Sequence, residues 1–270
     1  MSPFGPQPWV QRHWDLRAAA NFMLGGTGAG LLVASAIAGP SPRLEIAAGL
    51  FLVGIGLGSV WLEIGRKLRA LHVFFNPRTS WMTRESFAAL VVFALGACAL
   101  VSPEPWLLSA LAVAAASFTY CQARILRASK GIPAWRAPQV VPLIVTSALA
   151  EGAGAALLFE IVPLALPFIG LALVARAIAW SRYWAAMKRE RCAATLERTG
   201  KMLLALGTAL PLALLVATHV DPRVAPLAAV AIVGAGWWVK LALVTRAAFN
   251  QGFALPHLPV RGARRGGIQR

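Results

Sequence analysis

Residues 45–65 read EIAAGLFLVGIGLGSVWLEIG, with one glutamate at the start, Glu45, and a second near the end, Glu63. A helix needs about 20 mainly apolar residues to cross a hydrocarbon core of roughly 30 Å. This stretch is therefore predicted to be a transmembrane helix. Seven further stretches have a similar length and character, and the predicted spans are at about 18–38, 45–65, 85–102, 106–127, 138–160, 162–182, 202–219 and 224–246.

The composition agrees with a membrane protein. Of the 270 residues, 58% are hydrophobic and 13% are charged, whereas a soluble domain carries about 25% charged residues. We predict an all-α integral membrane fold, an eight-transmembrane-helix bundle over residues 1–250, followed by a basic cytoplasmic tail at 251–270. Gly26-x-x-x-Gly30 and Gly54-x-x-x-Gly58 are predicted packing faces, because small residues let helices approach closely in lipid.

The basic residues are distributed unequally between the two sides of the predicted bundle. The side of the termini and long loops holds 24 of the 26 Lys and Arg residues, and the opposite side holds Arg43 and Arg223. The positive-inside rule therefore predicts a multi-pass protein of the inner (cytoplasmic) membrane with cytoplasmic termini and an even number of spans. Topology then accounts for the net charge of +16, so nucleic acid is not an expected partner.

Metal ligands are sparse in the sequence. Cys98, Cys121 and Cys192 are widely separated, so neither a disulfide framework nor an iron–sulfur or zinc site is predicted. Of the four histidines, His219 alone falls in a predicted span, at its end, and paired haem ligands are therefore not expected. The first residues also lack a basic segment followed by a short apolar run, so we expect no cleavable signal.

One acidic residue, Glu151, falls near the middle of a predicted span. Ionisable groups inside a membrane are costly and are functional candidates by default. Two interpretations remain open: a proton relay, or a neutral, hydrogen-bonded acid that holds helices together. Arg176 and Lys240, on other helices, are candidate partners for it.

The segment from residue 63 to residue 85 combines arginines, hydroxyls, an indole and two carboxyls at a predicted membrane surface. A quinone needs such a place, with donors for its carbonyls, a proton-exchanging group and an apolar slot for its tail. An alternative is that Arg78 and Glu85 pair with each other and fix the loop. The predicted quinone-binding residues are Glu63, Arg66, Arg78, Ser80, Trp81 and Glu85, with Asn21 of the first span as an outer member.

Three strings in the first third of the chain carry a family resemblance. They are NPRTSWMTRE at 76–85, GRKLR at 65–69, and the entry to the first span from WDLRA at 14–18 through GGTGAG at 25–30. Together they resemble the DMSO reductase anchor and NrfD-like family of membrane subunits. In that family a histidine often occupies the position of Glu63, so this chain departs from the pattern there, although a carboxyl can exchange the same proton.

The resemblance implies an eight-helix, haem-free anchor that binds menaquinone or ubiquinone. It also implies a docked iron–sulfur subunit of the ferredoxin-like type and a molybdopterin catalytic subunit. This chain would then be a non-catalytic subunit with no metal of its own. The basic loop from 176 to 201 could attract anionic membrane lipids or dock an acidic partner, although ordinary positive-inside topology with solvated loops explains most of the basic residues.

A second function remains open from the sequence. Glu151 could be the coupling carboxyl of a proton-coupled secondary transporter. Many such transporters contain inverted repeats, and no convincing internal repeat is visible in this chain.

Overall fold

The computed structural model describes residues 7–37, 42–64, 67–159 and 165–252. Within these ranges the chain is helical, with no named strand and one isolated antiparallel bridge between Val10 and Phe249. The main helices are α1 (Leu16–Ser35), α2 (Arg43–Glu63), α3 (Trp81–Val101), α4 (Pro105–Ala128), α5 (Val140–Ala156), α6 (Ala165–Met187), α7 (Ala193–Ala217) and α8 (Pro222–Arg246). A 3₁₀ helix, Lys67–Phe75, and a short helix, Pro133–Arg136, lie in two of the connections.

Six of these helices are long and apolar enough to cross a membrane: α1, α2, α3, α4, α7 and α8. This finding supports an all-α, multi-pass membrane protein, but it does not fit the predicted number of eight spans. The expected span at 138–160 forms the shorter α5, because Leu157, Leu158 and Phe159 leave the helix as a turn. The expected span at 162–182 corresponds to α6, which is not among the six, and residues 160–164 lie outside the described residues.

The short helix α5 lies at the centre of the bundle, where it packs against α1, α4, α6 and α8. Eleven of its 17 residues are buried. A helix enclosed by protein does not need the full apolar length that lipid contact would require. By contrast, α2 and α3 lie at the periphery and expose large apolar side chains such as Phe51, Phe87 and Leu90.

Helices α1 and α5 cross at a contact between two glycines. A Cβ built at Gly30 would overlap the carbonyl oxygen of Ala148, and a Cβ built at Gly152 would overlap the backbone of Gly30. The predicted packing role of Gly30 is therefore confirmed. The second predicted face is wrong, because a Cβ at Gly54 would meet one ring atom of Phe93 at 3.8 Å and a Cβ at Gly58 would meet nothing within 4 Å.

Three helices contain a five-residue π-helical segment: Asn21–Gly25 in α1, Ala205–Ala209 in α7 and Ala242–Arg246 in α8. Such segments are uncommon and tend to occur at functional sites, because they free a backbone group and rotate the following residues. Each of the three borders a polar feature described below.

The two ends of the described chain lie together. The Gln11 amide donates to the carbonyl of Ala248 at 2.9 Å, and the Asn250 amide donates to the carbonyl of Trp9 at 2.9 Å. The last described residues are thus attached to the bundle. Most of the predicted tail at 251–270 lies outside the described residues.

The crossing of α1 and α5 leads to a stability prediction. Gly152→Ala should lower the free energy of unfolding by at least about 1–3 kcal/mol, because the added methyl group forces two backbones apart. The matched control is Gly58→Ala in α2, where the methyl group meets nothing and helix propensity favours alanine by up to about 1 kcal/mol. Unfolding of the purified protein by SDS titration measures both, and equal effects of the two substitutions would contradict the assigned crossing.

Candidate functional site

An apolar cavity of about 470 Å³ lies between α2, the 3₁₀ helix and α3. Its size is within the range of roughly 300–1,000 Å³ that small-molecule sites occupy. Its rim includes the exposed side chains of Trp61, Leu71 and Leu90. The lining residues are Asn21, Leu57, Val60, Trp61, Ile64, Ala70, Leu71, Val73, Phe74, Met82, Glu85, Ser86, Ala89, Leu90 and Phe93.

A smaller cavity of about 220 Å³ adjoins the first and reaches toward α1 and α4. The two cavities share Asn21, Val60, Ile64, Met82 and Glu85 among their lining residues. The smaller cavity additionally contacts Glu63, at the last position of α2. Two carboxyls and one amide therefore line an otherwise mainly apolar space.

Glu85 is held at the inner wall by neutral amides. The Asn21 side-chain nitrogen donates to Glu85 Oε1 at 3.0 Å. The Gln122 side-chain nitrogen in turn donates to the backbone carbonyl oxygen of Asn21 at 2.9 Å. Asn21 Oδ1 and Gln122 Oε1 are buried without a hydrogen-bond partner. Buried polar atoms normally find partners, so these acceptors mark a place suited to a donor from water or a ligand.

The local sequence of α1 explains how Asn21 reaches this wall. Asn21 begins the π-helical segment, and Gly25 ends it. A Cβ built at Gly25 would lie 2.9 Å from the Gln122 side-chain nitrogen and 3.1 Å from Asn21 Oδ1. Glycine at this position therefore leaves the room that the two amides occupy.

The other predicted residues of the 63–85 segment shape the loop. Ser80 caps α3 by accepting a hydrogen bond from the Thr83 amide, and the carbonyl of Arg78 accepts one from the Arg84 guanidinium at 2.8 Å. The guanidinium groups of Arg84 and Arg124 stack on the Trp81 ring, at 4.2 Å and 4.1 Å from its centroid.

None of these three predicted residues, Arg78, Ser80 and Trp81, is among the lining of the two cavities. The structure thus brings together Asn21, Glu63 and Glu85, and it leaves the other three at the loop surface. Arg78 forms no ion pair with Glu85 in the described part of the chain. Arg66 lies outside the described residues.

A second polar centre lies deep in the bundle. Lys240 Nζ of α8 is 2.7 Å from Glu151 Oε2 of α5, and both side chains are fully buried. The Thr27 hydroxyl of α1 donates to the same carboxylate oxygen at 2.7 Å, and the indole of Trp237 donates to Thr27 at 2.9 Å. One carboxylate therefore joins α1, α5 and α8.

Arg176 of α6 completes this centre without pairing directly with Glu151. Its guanidinium is fully buried and donates to the carbonyl oxygens of Ile232, at 3.1 Å, and of Gly207. Gly207 belongs to the π-helical segment of α7. Of the two partners predicted for Glu151, Lys240 is the one that forms the ion pair.

The two centres lie close to each other across α1. A Cβ built at Gly26 would lie 2.5 Å from Lys240 Nζ and 3.6 Å from Gln122 Oε1. Hydrogen bonds thus link Glu85, Asn21 and Gln122, and the unpartnered Gln122 Oε1 lies on the same side of Gly26 as Lys240 Nζ. Sequence reasoning missed Gln122, and a signal was present, since a glutamine within an apolar helix needs a polar partner.

No group of three or more His, Cys, Asp or Glu side chains that could hold a metal occurs in the part of the chain that the structure describes.

Cys192, between α6 and α7, is buried, and burial raises the pKa of its thiol to about 11. This thiol is therefore protonated at neutral pH and is a poor nucleophile.

No protein-family model and no curated protein matches this chain.

The buried ion pair leads to a second stability prediction. Lys240→Met should lower the free energy of unfolding by about 3–5 kcal/mol, because it leaves the Glu151 carboxylate buried without its counter-charge. Adding Glu151→Gln to this variant should recover part of the loss. SDS-induced unfolding of the single and double variants, analysed as a double-mutant cycle, measures the coupling.

The matched control is Lys201→Met, which removes a lysine from an ion pair with Glu197 at a similar N–O separation, 2.8 Å against 2.7 Å, but on the surface. This change should stay within about 0.5 kcal/mol. A loss for Lys240→Met as small as that for Lys201→Met would show that the buried pair contributes little.

Proposed function

We propose that this chain is the quinone-interacting membrane anchor subunit of a multi-subunit molybdopterin and iron–sulfur oxidoreductase. The observation that carries the proposal is the apolar cavity whose inner wall holds Asn21 and Glu85 and whose neighbouring cavity holds Glu63. Few polar groups in a largely apolar space are typical of a site that orients a ligand with a small polar head and a long apolar tail.

The fit to a quinone rests on the groups at the inner wall. The quinone ring supplies the two-electron chemistry when it is bound, and each reduction to the quinol takes up two protons. In this proposal the Asn21 side-chain nitrogen would donate to a ring carbonyl, and its unpartnered Oδ1 would accept from a quinol hydroxyl. Glu85 would give or accept the proton at that oxygen. Glu63, half-buried at the end of α2, exchanges protons between the smaller cavity and the cytoplasmic surface.

The apolar walls serve the isoprenoid tail. Leu57, Ala89 and Phe93 enclose the cavity, and the exposed rim residues Trp61 and Leu90 continue it toward the lipid-facing side of α2 and α3. A quinone whose tail lies in this groove would place only its ring outside the hydrocarbon interior. Both menaquinone and ubiquinone satisfy these requirements.

The membrane arrangement belongs to the same proposal. We infer that α5 and α6 both cross the membrane, α5 enclosed by other helices and α6 with Leu171, Val174 and Ile178 exposed. This arrangement gives eight crossings and keeps the termini on one side of the inner membrane. Six crossings would give the same sidedness, because both numbers are even. The basic side is then cytoplasmic and faces the iron–sulfur ferredoxin-like subunit, which transfers electrons between the quinone site and the molybdopterin subunit.

The role of the carboxyls gives the first functional prediction. In the purified complex, Glu85→Gln should lower quinone turnover by about 100-fold, the lower end of what a positioned acid or base contributes. Glu63→Gln should lower turnover by a smaller factor, because its more accessible position lets water take over part of its role. Steady-state assays with a soluble quinone analogue measure both, and the amount of assembled complex should stay unchanged.

The control is Glu104→Gln, which removes an exposed carboxyl from the short connection before α4. Glu104 lines neither cavity. Its turnover should equal that of the unsubstituted complex. Unchanged turnover in Glu63→Gln would show that Glu63 is not part of the site. Unchanged turnover in Glu85→Gln would contradict the proposed proton exchange at Glu85.

The subunit role gives a second functional prediction. The chain purified from its own membranes should carry an iron–sulfur protein and extractable quinone, and should show no haem absorbance. Subunit composition by mass spectrometry, quinone by extraction and absorption spectra measure these properties. Isolation as a lone, quinone-free protein would contradict the proposal.

A transporter remains the second candidate because of the Glu151–Lys240 pair at the bundle centre. Intramembrane ion pairs of this kind mark coupling sites in many transporters. Solute uptake by proteoliposomes of the lone protein, abolished by Glu151→Gln, would favour this function over the anchor.

A further inference from the structure

We propose that a cavity between the start of α7 and the end of α8 binds the headgroup of an anionic phospholipid. The cavity has a volume of about 410 Å³ and is distinct from the two cavities described above. The residues that carry the argument are Thr195, Arg198, Thr199, Met202, Trp238 and Arg246. This inference does not depend on the proposed quinone site.

Two guanidinium groups on different helices line this one space. Arg198 and Arg246 are both exposed, and neither forms an ion pair with an acidic side chain within the described ranges. The lining of the cavity contains no Asp or Glu. Two cations that share a cavity without a counter-charge favour an anion, and the planar guanidinium fits a phosphate in a bidentate manner.

The fold fixes the position of one guanidinium. Arg246 stacks over the ring of Trp238, with its central carbon 4.6 Å from the ring centroid. The two residues are eight positions apart, and α8 changes to a π-helical segment at Ala242–Arg246. Because a π-turn includes one residue more than an α-turn, positions eight apart come onto the same face. The π-helical segment therefore holds Arg246 at the cavity.

Hydroxyl groups and an apolar ridge continue the site in opposite directions. Thr199 donates its hydroxyl proton to the carbonyl of Thr195, at 2.9 Å, so the Thr195 hydroxyl is the one suited to donate to a ligand. From the other end of the cavity, Met202, Leu206 and Leu210 form an exposed apolar ridge along α7. A molecule with a phosphate and an acyl chain matches both parts.

The sequence of α7 places the cavity at the depth of a phosphate layer. The first part of the helix carries Glu197, Arg198 and Lys201, and its next ionisable residue occurs only after the helix has ended. The cavity thus lies where the polar surface gives way to the membrane interior. Trp238 also suits this depth, because indole rings are enriched at membrane interfaces.

A lipid is favoured over the other anions that two arginines could bind. A free phosphate would use the guanidinium groups and leave the apolar ridge without a role. An acidic segment of a soluble protein would have to reach down beside Met202 to the apolar part of α7. An anionic phospholipid uses the cations, the hydroxyl and the ridge together.

The experiment uses the full-length protein, delipidated in detergent and titrated with phosphatidylglycerol or with phosphatidylcholine of the same acyl chains. Native mass spectrometry counts the lipids bound. Phosphatidylglycerol should bind at one saturable site, and phosphatidylcholine should not. Arg198→Gln and Arg246→Gln should each weaken this binding by about fivefold, since one arginine near an anionic lipid contributes about 1 kcal/mol.

Two control variants distinguish a specific loss of phosphatidylglycerol binding from a loss that misfolding causes. Arg246→Lys keeps the charge but loses the planar stack on Trp238, and should weaken binding less than Arg246→Gln does. Arg189→Gln removes an exposed charge from the same basic side, outside this cavity, and should bind phosphatidylglycerol as the unsubstituted protein does.

Three outcomes would overturn the proposal. Equal binding of the two lipids would show that the site does not select an anionic headgroup. An equal loss of phosphatidylglycerol binding in Arg189→Gln and Arg246→Gln would show that general surface charge causes the binding. Displacement of phosphatidylglycerol by millimolar inorganic phosphate would identify a site for free phosphate. Full lipid binding by the Arg198→Gln/Arg246→Gln protein, together with loss of a soluble subunit from the complex, would identify a docking surface for protein.

Discussion

The interior of this bundle depends on one buried carboxylate. Glu151 Oε2 accepts hydrogen bonds from Lys240 Nζ and from the Thr27 hydroxyl, both at 2.7 Å, and thereby joins α5 to α8 and to α1. Lipid supplies no hydrophobic force between helices, so polar contacts of this kind and close packing determine which helices meet. Charges without access to water also cost free energy unless they are paired. The pair therefore restricts the bundle to arrangements in which these three helices stay in contact.

The pair is accommodated because small residues surround it. A Cβ at Gly236 would overlap the Glu151 carboxylate, and a Cβ at Gly26 would lie 2.5 Å from Lys240 Nζ. The contact between Gly30 and Gly152 brings α1 and α5 together one turn away from Gly26. Close backbone approach and burial of charge thus depend on each other: the glycines make the space, and the ion pair makes the close approach specific to these helices.

The sequence allowed much of the fold to be predicted and less of the site. The length of the apolar stretches located α2, α3 and α4 within a few residues, because a helix that faces lipid must be apolar along its whole length. It located α5 as well but overestimated its length, since hydropathy cannot distinguish a helix enclosed by other helices from one that faces lipid. At the site, Glu85 and Asn21 were predicted, but Gln122 was not, because its role depends on a π-helical segment of α1 that turns Asn21 toward it.

Two of the buried acids, Glu85 and Glu151, have different surroundings, and this difference separates their roles. Glu85 is bonded to a neutral amide and borders two cavities, so it can exchange a proton with a ligand while no neighbouring charge has to change. Glu151 is bonded to a lysine and enclosed by helices, so a proton that arrives there removes the counter-charge of Lys240. Under the proposed function, proton exchange with a quinone is therefore assigned to Glu85, and the Glu151–Lys240 pair is assigned to helix packing. In this arrangement the ion pair holds the helices in place while the cavity acid remains available for chemistry.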